Sequence, residues 1–543
     1  MHPEFSDTRV LGLDVGAVSL SAAAVDCKGE IVRTFYQLHH GEVEACLERV
    51  LGSLDFSRVG AVAATTSTPA FIRADHRFDN QICLITAGRR FHPEARSILV
   101  VGGERFGLVR FDADGAYLSF KANPLCAAGT GSFLDQQAQR LNLESIQGLA
   151  ALALANDGPP PKIASRCAVF AKTDLVHAQQ EGHSLESICD GLCGGVAKNI
   201  VDTLFTGEVI HGPLLLVGGV AKNPAVVRHL RALLEVEIVV DGELPHGAAG
   251  AALRLLRDQP YNGAYPPREV GEVIDHSSRE RAYEHLPLEI RLSQYPDFES
   301  LEKCAFTGKF AGHSHPVDVD LYRFLDPGGI QEIYLGIDIG STSTKAVATD
   351  VEGNVLAGFY TSTAGRPLAA TQLVLEAVAD WESRKALKLK TLAVGTTGAG
   401  RKFIGRILGA DLILDEITAH ARAAVELHPD VDTIIEIGGQ DSKFTTLRDG
   451  RVTLSVMNNV CAAGTGSFVE EQARRLGVPL AEFGTRTQGC SSPIASERCT
   501  VFMERDLNHY LSEGYSRGEV LAAVLHSVRE NYLNKVAVEP AIG

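Results

Sequence analysis

Four of the eleven cysteines in this 543-residue chain lie in sequence blocks that each occur twice. Cys126 and Cys461 each begin the letters CAAGTGSF, and Cys167 and Cys499 each follow the letters IAS, before a helix-like run. Two thiolates from each copy, related by a pseudo-twofold axis, would complete a four-cysteine site. Such a site could hold zinc or a [4Fe–4S] cluster. The sequence has no CxxC pair, and helix N-termini beside the cysteines stabilise negative charge, so it favours the cluster.

A second set of residues has the composition of phosphate-binding turns. In a strand–Asp-Xaa-Gly–strand pattern, glycines let backbone N–H groups approach an anion, and the aspartate can hold Mg²⁺ through water. The first turn of the second copy comprises Asp338, Gly340, Ser341, Thr342, Ser343 and Lys345. The second turn comprises Gly438, Gly439, Gln440 and Asp441. The residues that lead from the cysteine block into the next helix are Gly464, Thr465 and Gly466. We predict cofactor contacts at these positions and catalytic roles for Asp338, Gln440 and Asp441.

The first copy lacks most of the donors in its first turn. It keeps Asp14 and Gly16, where we also predict nucleotide contact. Where the second copy has two hydroxyls and a lysine, however, the first copy has Ala17, Val18 and Ser21. We therefore expect ATP hydrolysis to depend on the second copy and to survive loss of Asp14.

The first copy also differs in its second turn and in a later one. Glu104 and Arg105 occupy the places of an amide and a carboxylate, so a triphosphate would meet negative charge at Glu104 unless Arg105 offsets it. A Gly218–Gly219 turn within LLLVGGVAKNPAVV either contacts a nucleoside or simply closes a strand-to-helix turn. The second copy has no equivalent of this turn, which suggests a fragment or a shortened member.

These blocks recur because the chain contains two copies of one domain. LGLDVGAVSL at Leu11 matches LGIDIGSTST at Leu335, and the cysteine blocks follow in the same order. We predict copies over residues 8–257 and 332–543, joined by a bridging segment, 258–331, in which LPLEIRLSQYPDF could form a short strand or two. Apolar β-branched runs alternate with helical periodicity in each copy. This alternation predicts an α/β fold layered around mixed sheets.

Composition and charge exclude several classes of partner. The net charge of −16 disfavours binding to a nucleic-acid backbone or an anionic membrane, and an aromatic content of 6% leaves little for base stacking. No apolar run approaches the ~18 residues of a membrane span. The N-terminus lacks the basic and apolar regions of a secretion signal, and an odd cysteine count argues against a disulfide framework. We expect a cytoplasmic protein.

Two facing phosphate hairpins are characteristic of the actin, sugar-kinase and heat-shock ATPase fold. Within that fold, LGIDIGSTSTKAV, IEIGGQDSK, NNVCAAGTGSF and IASERCTVF closely resemble the activators of 2-hydroxyacyl-CoA dehydratases and the ATPase subunits of benzoyl-CoA reductases. These proteins form the BadF/BadG/BcrA/BcrD ATPase family, and the resemblance covers nearly all of both copies. It implies ATP, Mg²⁺ and one [4Fe–4S] cluster, whose ligands would be Cys126, Cys167, Cys461 and Cys499.

The resemblance also implies a function. ATP hydrolysis would be coupled to low-potential electron transfer, from reduced ferredoxin or flavodoxin to an iron–sulfur dehydratase or reductase. The two copies would form an internal pseudo-dimer, which could associate further. Two alternatives stay open. A sugar or acetate kinase of the same fold needs no cysteines at the axis, whereas a non-enzymatic iron–sulfur sensor or scaffold would suit the degraded turns of the first copy.

Overall fold

The computed structural model describes residues 9–123, 130–141, 143, 145–164, 171, 174–175, 177–179, 181–205, 211–258, 269–275, 281–290, 299–308, 315–439, 441–458, 465–497 and 500–537. The four predicted cluster ligands, Cys126, Cys167, Cys461 and Cys499, lie outside these residues. Gln440 and Gly464 also lie outside them.

Within the described residues, the first copy contains two five-stranded sheets. Its strands are β1 (Arg9–Val15), β2 (Ser19–Val25), β3 (Ile31–Leu38), β4 (Val59–Thr65), β5 (His76–Phe78), β6 (Ser97–Val101), β7 (Phe106–Phe111), β8 (Tyr117–Ala122), β9 (Leu214–Val217) and β10 (Ile238–Asp241). The first sheet has the order β3-β2-β1-β4-β5, in which an antiparallel meander is extended by two parallel strands. The second sheet has the order β10-β9-β6-β7-β8.

Helices cover both faces of the first sheet. The helices of the first copy are α1 (Val43–Gly52), α2 (Asn80–Phe91), α3 (Gly131–Arg140), α4 (Ile146–Leu154), α5 (Leu185–Leu204), α6 (Pro224–Leu233) and α7 (His246–Asp258). In β4, Val62 belongs to the apolar cluster that includes α1, and Ala63 belongs to the cluster that includes α7. Every residue of this strand is therefore buried. Gly12 allows α7 to lie close to β1, because a Cβ there would be 1.9 Å from the carbonyl oxygen of Ala248.

The second copy repeats this topology. Its strands are β11 (Glu302–Phe306), β12 (Val317–Leu321), β13 (Ile330–Ile339), β14 (Ser343–Thr349), β15 (Val355–Ser362), β16 (Lys388–Thr397), β17 (Leu412–Ile413), β18 (Thr433–Ile437), β19 (Ser442–Arg448) and β20 (Arg451–Met457). Among the described residues, the larger sheet has the order β11-β12-β15-β14-β13-β16-β17, and the smaller has β18-β19-β20. The prediction of an α/β chain with two tandem actin-like domains is confirmed.

The second copy differs in what covers its sheets. Its helices are α8 (Pro367–Arg384), α9 (Arg401–Leu408), α10 (Glu416–Leu427), α11 (Gly466–Arg475), α12 (Phe483–Thr487), α13 (Thr500–Ser512) and α14 (Arg517–Lys535). No element of the described chain follows α14 in the places of β9, β10, α6 and α7. As a result, Tyr334 is 44% exposed, whereas Val10, its equivalent under α7, is 4% exposed. None of the described helices is long and apolar enough to cross a bilayer.

The bridging segment contributes strands later than the sequence pattern suggested. The expected strand in LPLEIRLSQYPDF does not form over residues 286–290, and residues 291–298 lie outside the described part. Leu286 is 85% exposed, and the backbone around it forms only an isolated bridge, between His285 and Ser492. The strands form instead at β11 and β12, where Val317 and Val319 are buried against the rest of the second copy. Earlier in the segment, Ile274 pairs with Ile72 of the first copy.

The two copies pack together through equivalent helices. The helices α3 and α11 contact each other. Gln136 Nε2 donates a hydrogen bond to Glu504 Oε2 at 2.5 Å, and an Arg474 nitrogen donates to the carbonyl oxygen of Gln139 at 3.0 Å. These helices begin within the CAAGTGSF blocks that start at Cys126 and Cys461.

Candidate functional site

The first glycine turn of the second copy joins β13 to β14. The N–H of Gly340 donates to the carbonyl oxygen of Ser343 at 3.0 Å, and Thr363 Oγ1 donates to the carbonyl oxygen of Gly340 at 2.8 Å. Asp338 and Lys345 are directly opposite in the strand register, with Lys345 Nζ 3.2 Å from Asp338 Oδ2. Both side chains reach solvent, so the strand register holds a carboxylate and an ammonium group at the edge of the turn.

The second glycine turn, before β19, faces the first one. Its own closure is a hydrogen bond of 2.9 Å from the N–H of Gly438 to the carbonyl oxygen of Asp441. The N–H groups of Gly466 and Ser467, at the start of α11, donate to the carbonyl oxygens of Gly438 and Gly439. A Cβ on Gly439 would lie only 2.8 Å from Thr342 Oγ1 of the first turn. Thr465 precedes α11 and is fully buried, so the two turns and this helix start form one unit.

Charged side chains surround Asp441 beside these turns. Lys443 Nζ lies 2.9 Å from Glu436 Oε1, and His420 Nδ1 lies 2.7 Å from Glu436 Oε2. Desolvation by the surrounding protein raises the pKa of Asp441, and Glu416 and Glu436 raise it further, whereas Lys443 opposes them. A cation placed here would relieve the repulsion among these carboxylates.

An arginine of the first copy also acts on this site. Arg140, at the end of α3, interacts electrostatically with Asp441 and with Glu471 of α11. Burial lowers the pKa of Arg140 to about 10, and the two carboxylates oppose this shift. The guanidinium therefore stays charged near neutral pH, and the charge balance of the second copy's site includes a residue from the other copy.

The fit of a phosphate and a hydrated Mg²⁺ can be judged from a buried hydroxyl. Thr397 is opposite Asp338 in the β13–β16 register, and its Oγ1 is buried with no hydrogen-bond partner among the described residues. The equivalent hydroxyl of the first copy, on Thr65, donates to Asp14 at 2.7 Å. A buried polar atom without a partner needs a ligand or water. The residues of the second copy therefore fit an anion or hydrated cation beside Asp338.

The first turn of the first copy has the same backbone but a different surrounding. The N–H of Gly16 donates to the carbonyl oxygen of Ser19 at 2.9 Å, which matches the turn at Gly340. Asp14 accepts hydrogen bonds from Thr65 and from Ser67, at 2.7 and 3.1 Å. A Cβ on Gly247 of α7 would lie 2.2 Å from Asp14 Oδ2, and burial raises the pKa of Asp14. This carboxylate is enclosed by hydroxyls and a helix.

The substituted positions of the first copy are where the sequence placed them. Ser21 is opposite Asp14 in the register that puts Lys345 opposite the second copy's aspartate. A Cβ on Gly103 would lie 2.9 Å from a methyl carbon of Val18, so the turns face each other with a methyl group in place of a hydroxyl. The methyl of Ala17 likewise cannot donate to a phosphate.

Glu104 is directed to the second copy. Asn508 Nδ2 donates a short hydrogen bond to Glu104 Oε1. Burial raises the pKa of Glu104 to about 7, and the Glu504 carboxylate adds to the shift, whereas Arg475 and Arg105 oppose it. The hydrogen-bond partner that the structure gives Glu104 is thus Asn508, and the charge of Arg105 acts on it only at longer range.

Backbone geometry requires a glycine at position 218, in the late turn of the first copy. Gly218 has φ +94°, and a Cβ there would lie 2.5 Å from the carbonyl oxygen of Val101. Gly219 begins a 3₁₀ turn, Gly219–Lys222, that leads into α6. These features account for the glycine at 218 by turn closure, and nucleoside contact at the two glycines stays a prediction.

Sequence reasoning missed four charged residues of the second copy's site. Lys443 lies in β19, two residues beyond Asp441, and is directly opposite Glu436 in the register. Alternation along the strand could have revealed this pair. His420 and Arg140 come from separate helices, so only the tertiary structure brings them to the turn.

Comparisons with known proteins agree with the repeated architecture. The model of the BadF/BadG/BcrA/BcrD ATPase family matches residues 11–254 and again residues 335–541. The chain is 33% identical over 212 residues to the (R)-2-hydroxyglutaryl-CoA dehydratase activating ATPase of Acidaminococcus fermentans, covering 38% of this chain and 78% of the relative. It is 37% identical over 205 residues to an uncharacterized protein of Methanocaldococcus jannaschii, covering 36% of this chain and 48% of the relative, about half its length.

A solved structure is also similar to one part of the chain. It is the activator of the 2-hydroxyisocaproyl-CoA dehydratase from Clostridium difficile with bound ADPNP. The similarity covers 46% of this chain and 95% of that one, with 27% identity and a TM-score of 0.43. Because the family model matches most of each copy, the chain belongs to the BadF/BadG/BcrA/BcrD ATPase family.

Proposed function

We propose that this protein hydrolyses ATP in its second copy and couples hydrolysis to electron transfer through a [4Fe–4S] cluster shared by the copies. The observation that carries the proposal is the pair of facing turns in the second copy, with Asp338, Lys345 and the unpartnered Thr397 hydroxyl beside them. Family membership supports the ATPase activity. The acceptor would be an iron–sulfur dehydratase or reductase, because a relative is named as a dehydratase activating ATPase.

The second copy's side chains have distinct roles in this proposal. Lys345 and the hydroxyl of Thr342 donate to phosphate oxygens, and Asp338 and Asp441 hold hydrated Mg²⁺. Phosphoryl transfer needs mainly positioning and charge stabilisation, which these groups supply. Gln440, outside the described residues, would orient the attacking water. The first copy contributes Arg140, whose positive charge offsets negative charge that develops at the phosphate.

Hydrogen bonds connect this turn to the cysteine segments. The carbonyl oxygens of Gly438 and Gly439 accept from the first N–H groups of α11, which begins within the Cys461 block. The helix α11 contacts α3, which begins within the Cys126 block. Movement of the turn when a phosphate leaves would therefore shift both helix starts. A cluster bound by the four cysteines would supply one-electron chemistry at low potential.

A metal count and a turnover assay test the proposal. The full chain, purified without oxygen, should contain about four irons and four sulfides per chain, as expected for one [4Fe–4S] cluster. Cys461→Ser should lose the iron, whereas Cys304→Ser, in the half-exposed edge strand β11, should keep it. Stoichiometric zinc in place of iron would contradict the proposed electron transfer. An intact cluster without ATP turnover would instead favour the sensor or scaffold with pseudo-ATPase domains.

A further inference from the structure

Two imidazoles and a carboxylate converge in the first copy, away from the phosphate turns. His92 Nε2 and His246 Nε2 lie 3.0 and 3.4 Å from the same oxygen, Asp241 Oδ2. One potential ligand atom from each residue lies within 4.8 Å of the others. His246 is 4% exposed, whereas the side chains of His92 and Asp241 are about one-fifth exposed. The cluster is therefore buried on one side and open to solvent on the other.

The hydrogen bonds of this cluster leave one ring nitrogen of His246 unprotonated. His246 Nδ1 lies 2.9 Å from the carbonyl oxygen of Leu244, which can only accept, so Nδ1 carries the proton. In the neutral ring with Nδ1 protonated, Nε2 is the unprotonated nitrogen. The Nε2 atom then presents a lone pair to a carboxylate oxygen and has no hydrogen-bond partner among the described residues. A buried lone pair that faces a carboxylate oxygen is unfavourable unless a proton or a metal cation lies between them.

His92 is oriented in the same way. Its Nε2 shares a hydrogen bond of 3.0 Å with Asp241 Oδ2, whose proton a metal ion would displace. Its Nδ1 lies 3.6 Å from Glu94 Oε1, beyond hydrogen-bond distance. In metal-binding histidines, one ring nitrogen usually binds the ion and the other donates a hydrogen bond to an acceptor outside the site. Both histidines thus turn their Nε2 atoms toward one carboxylate.

We propose that His92, Asp241 and His246 bind a divalent transition-metal ion of the zinc class. Two imidazole nitrogens and one carboxylate oxygen are a common protein ligand set for Zn²⁺ with one position left for water. The same set is also used by other first-row ions, and Mg²⁺ is disfavoured because it prefers oxygen ligands. This site is independent of the proposed ATPase and cluster functions.

The position of the three ligands indicates what the ion would do. His92 ends α2, and His246 begins α7, which packs on the first sheet. Asp241 ends β10, at the edge of the second sheet. A bound ion would therefore join the two sheets of the first copy, beside the Gly247 backbone that encloses Asp14. It would fix the angle between the sheets in the copy whose phosphate turn has lost its donors.

The repeat provides a matched control. His428 follows α10 and precedes a proline, as His92 follows α2 and precedes a proline. It is exposed, and the described residues of the second copy include no counterparts of Asp241 and His246. Replacing His428 therefore removes an imidazole from the same position of the repeat without touching the proposed site.

Zinc titration of the full chain, with its iron–sulfur content intact, tests the proposal. We expect one Zn²⁺ per chain at micromolar concentration or below, and a higher melting temperature when Zn²⁺ is added. Loss of a residue that only hydrogen-bonds to a ligand typically costs 10–100-fold in metal affinity. Loss of a ligand itself should cost at least the upper end of that range, so His92→Gln and His246→Gln should weaken binding by about 100-fold or more. His428→Gln should bind as the unmodified chain does.

Cobalt substitution separates this site from the cysteines. Co²⁺ bound by nitrogen and oxygen shows weak visible bands only, whereas Co²⁺ bound by thiolates adds intense charge-transfer bands. Thiolate bands, binding only at millimolar Zn²⁺, or unchanged affinity in His92→Gln would each overturn the proposal. His246 is buried and its variant could misfold. The half-buried His92 is therefore the deciding position, with circular dichroism to verify its fold.

Discussion

Glu104→Gln should change how stability depends on pH. The substitution keeps an oxygen that can accept from Asn508 but removes the ionisable carboxyl from the contact between the copies. A pKa of about 7 in place of the ordinary 4.5 means that the folded chain resists ionisation of Glu104. Between these values the unfolded chain releases a proton that the folded chain keeps, so stability falls as pH rises from about 4.5 to 7. The loss amounts to at most about 3 kcal/mol.

Thermal denaturation of both proteins across this pH range, without oxygen, measures the effect. The melting temperature of Glu104→Gln minus that of the unmodified chain should rise from pH 4.5 to 7 and level off above it. For a domain of 150–250 residues, about 3 kcal/mol corresponds to roughly 6–12 °C. Glu42→Gln, which breaks the exposed ion pair with Arg517 between the copies, controls for lost negative charge and should cost under about 1 kcal/mol. A difference that does not vary with pH would refute the reasoning.

Three further predictions address the asymmetry of the copies. Asp338→Ala should abolish ATP turnover, whereas Asp14→Ala should retain turnover and lower the melting temperature; equal loss of turnover at unchanged melting temperature would show a second active site. Arg140→Gln should lower kcat about tenfold or more, toward the 10²–10³ typical for one lost charge-stabilising donor, and unchanged kcat would exclude it from the site. Gly12→Ala should destabilise by about 1–3 kcal/mol or more, because its Cβ would meet α7. Gly336→Ala, with no atom within 4 Å of the new Cβ, should cost far less, and equal melting temperatures would contradict the packing.

Local pattern was sufficient for the parts of the site that lie close together in sequence. An aspartate at the end of one strand and a lysine early in the next are paired by a tight hairpin, so the sequence alone could place Asp338 and Lys345 together. The same reasoning would place Ser21 opposite Asp14, as the register has it. Strand–turn–helix alternation, repeated twice, was enough to predict the α/β class.

Contacts between distant segments could not be predicted in this way. The contact of Glu104 with Asn508 is an example, because the packing of α13 against the first copy depends on the interface as a whole. Alternation of apolar residues at 286–290 indicated a strand, yet alternation stabilises a strand only where a neighbouring sheet edge is free. The segment containing Val317 and Val319 has that edge beside β15, whereas the earlier one pairs only through an isolated bridge to Ser492.

The site around Asp14 is closed and the equivalent site around Asp338 is open. The difference lies in α7, which has no counterpart among the described residues of the second copy. In the first copy α7 covers the sheet and encloses Asp14, which satisfies its carboxylate with hydroxyls and adds buried contacts around Ala248. This packing stabilises the first copy, whereas nucleotide contact at Asp14 stays a prediction. In the second copy Asp338 stays open and pairs with a lysine, an arrangement that costs less to rearrange around a phosphate. Since Arg140 of the closed copy acts on Asp441 of the open one, loss of phosphate donors in the first copy is compatible with its continued contribution to the second.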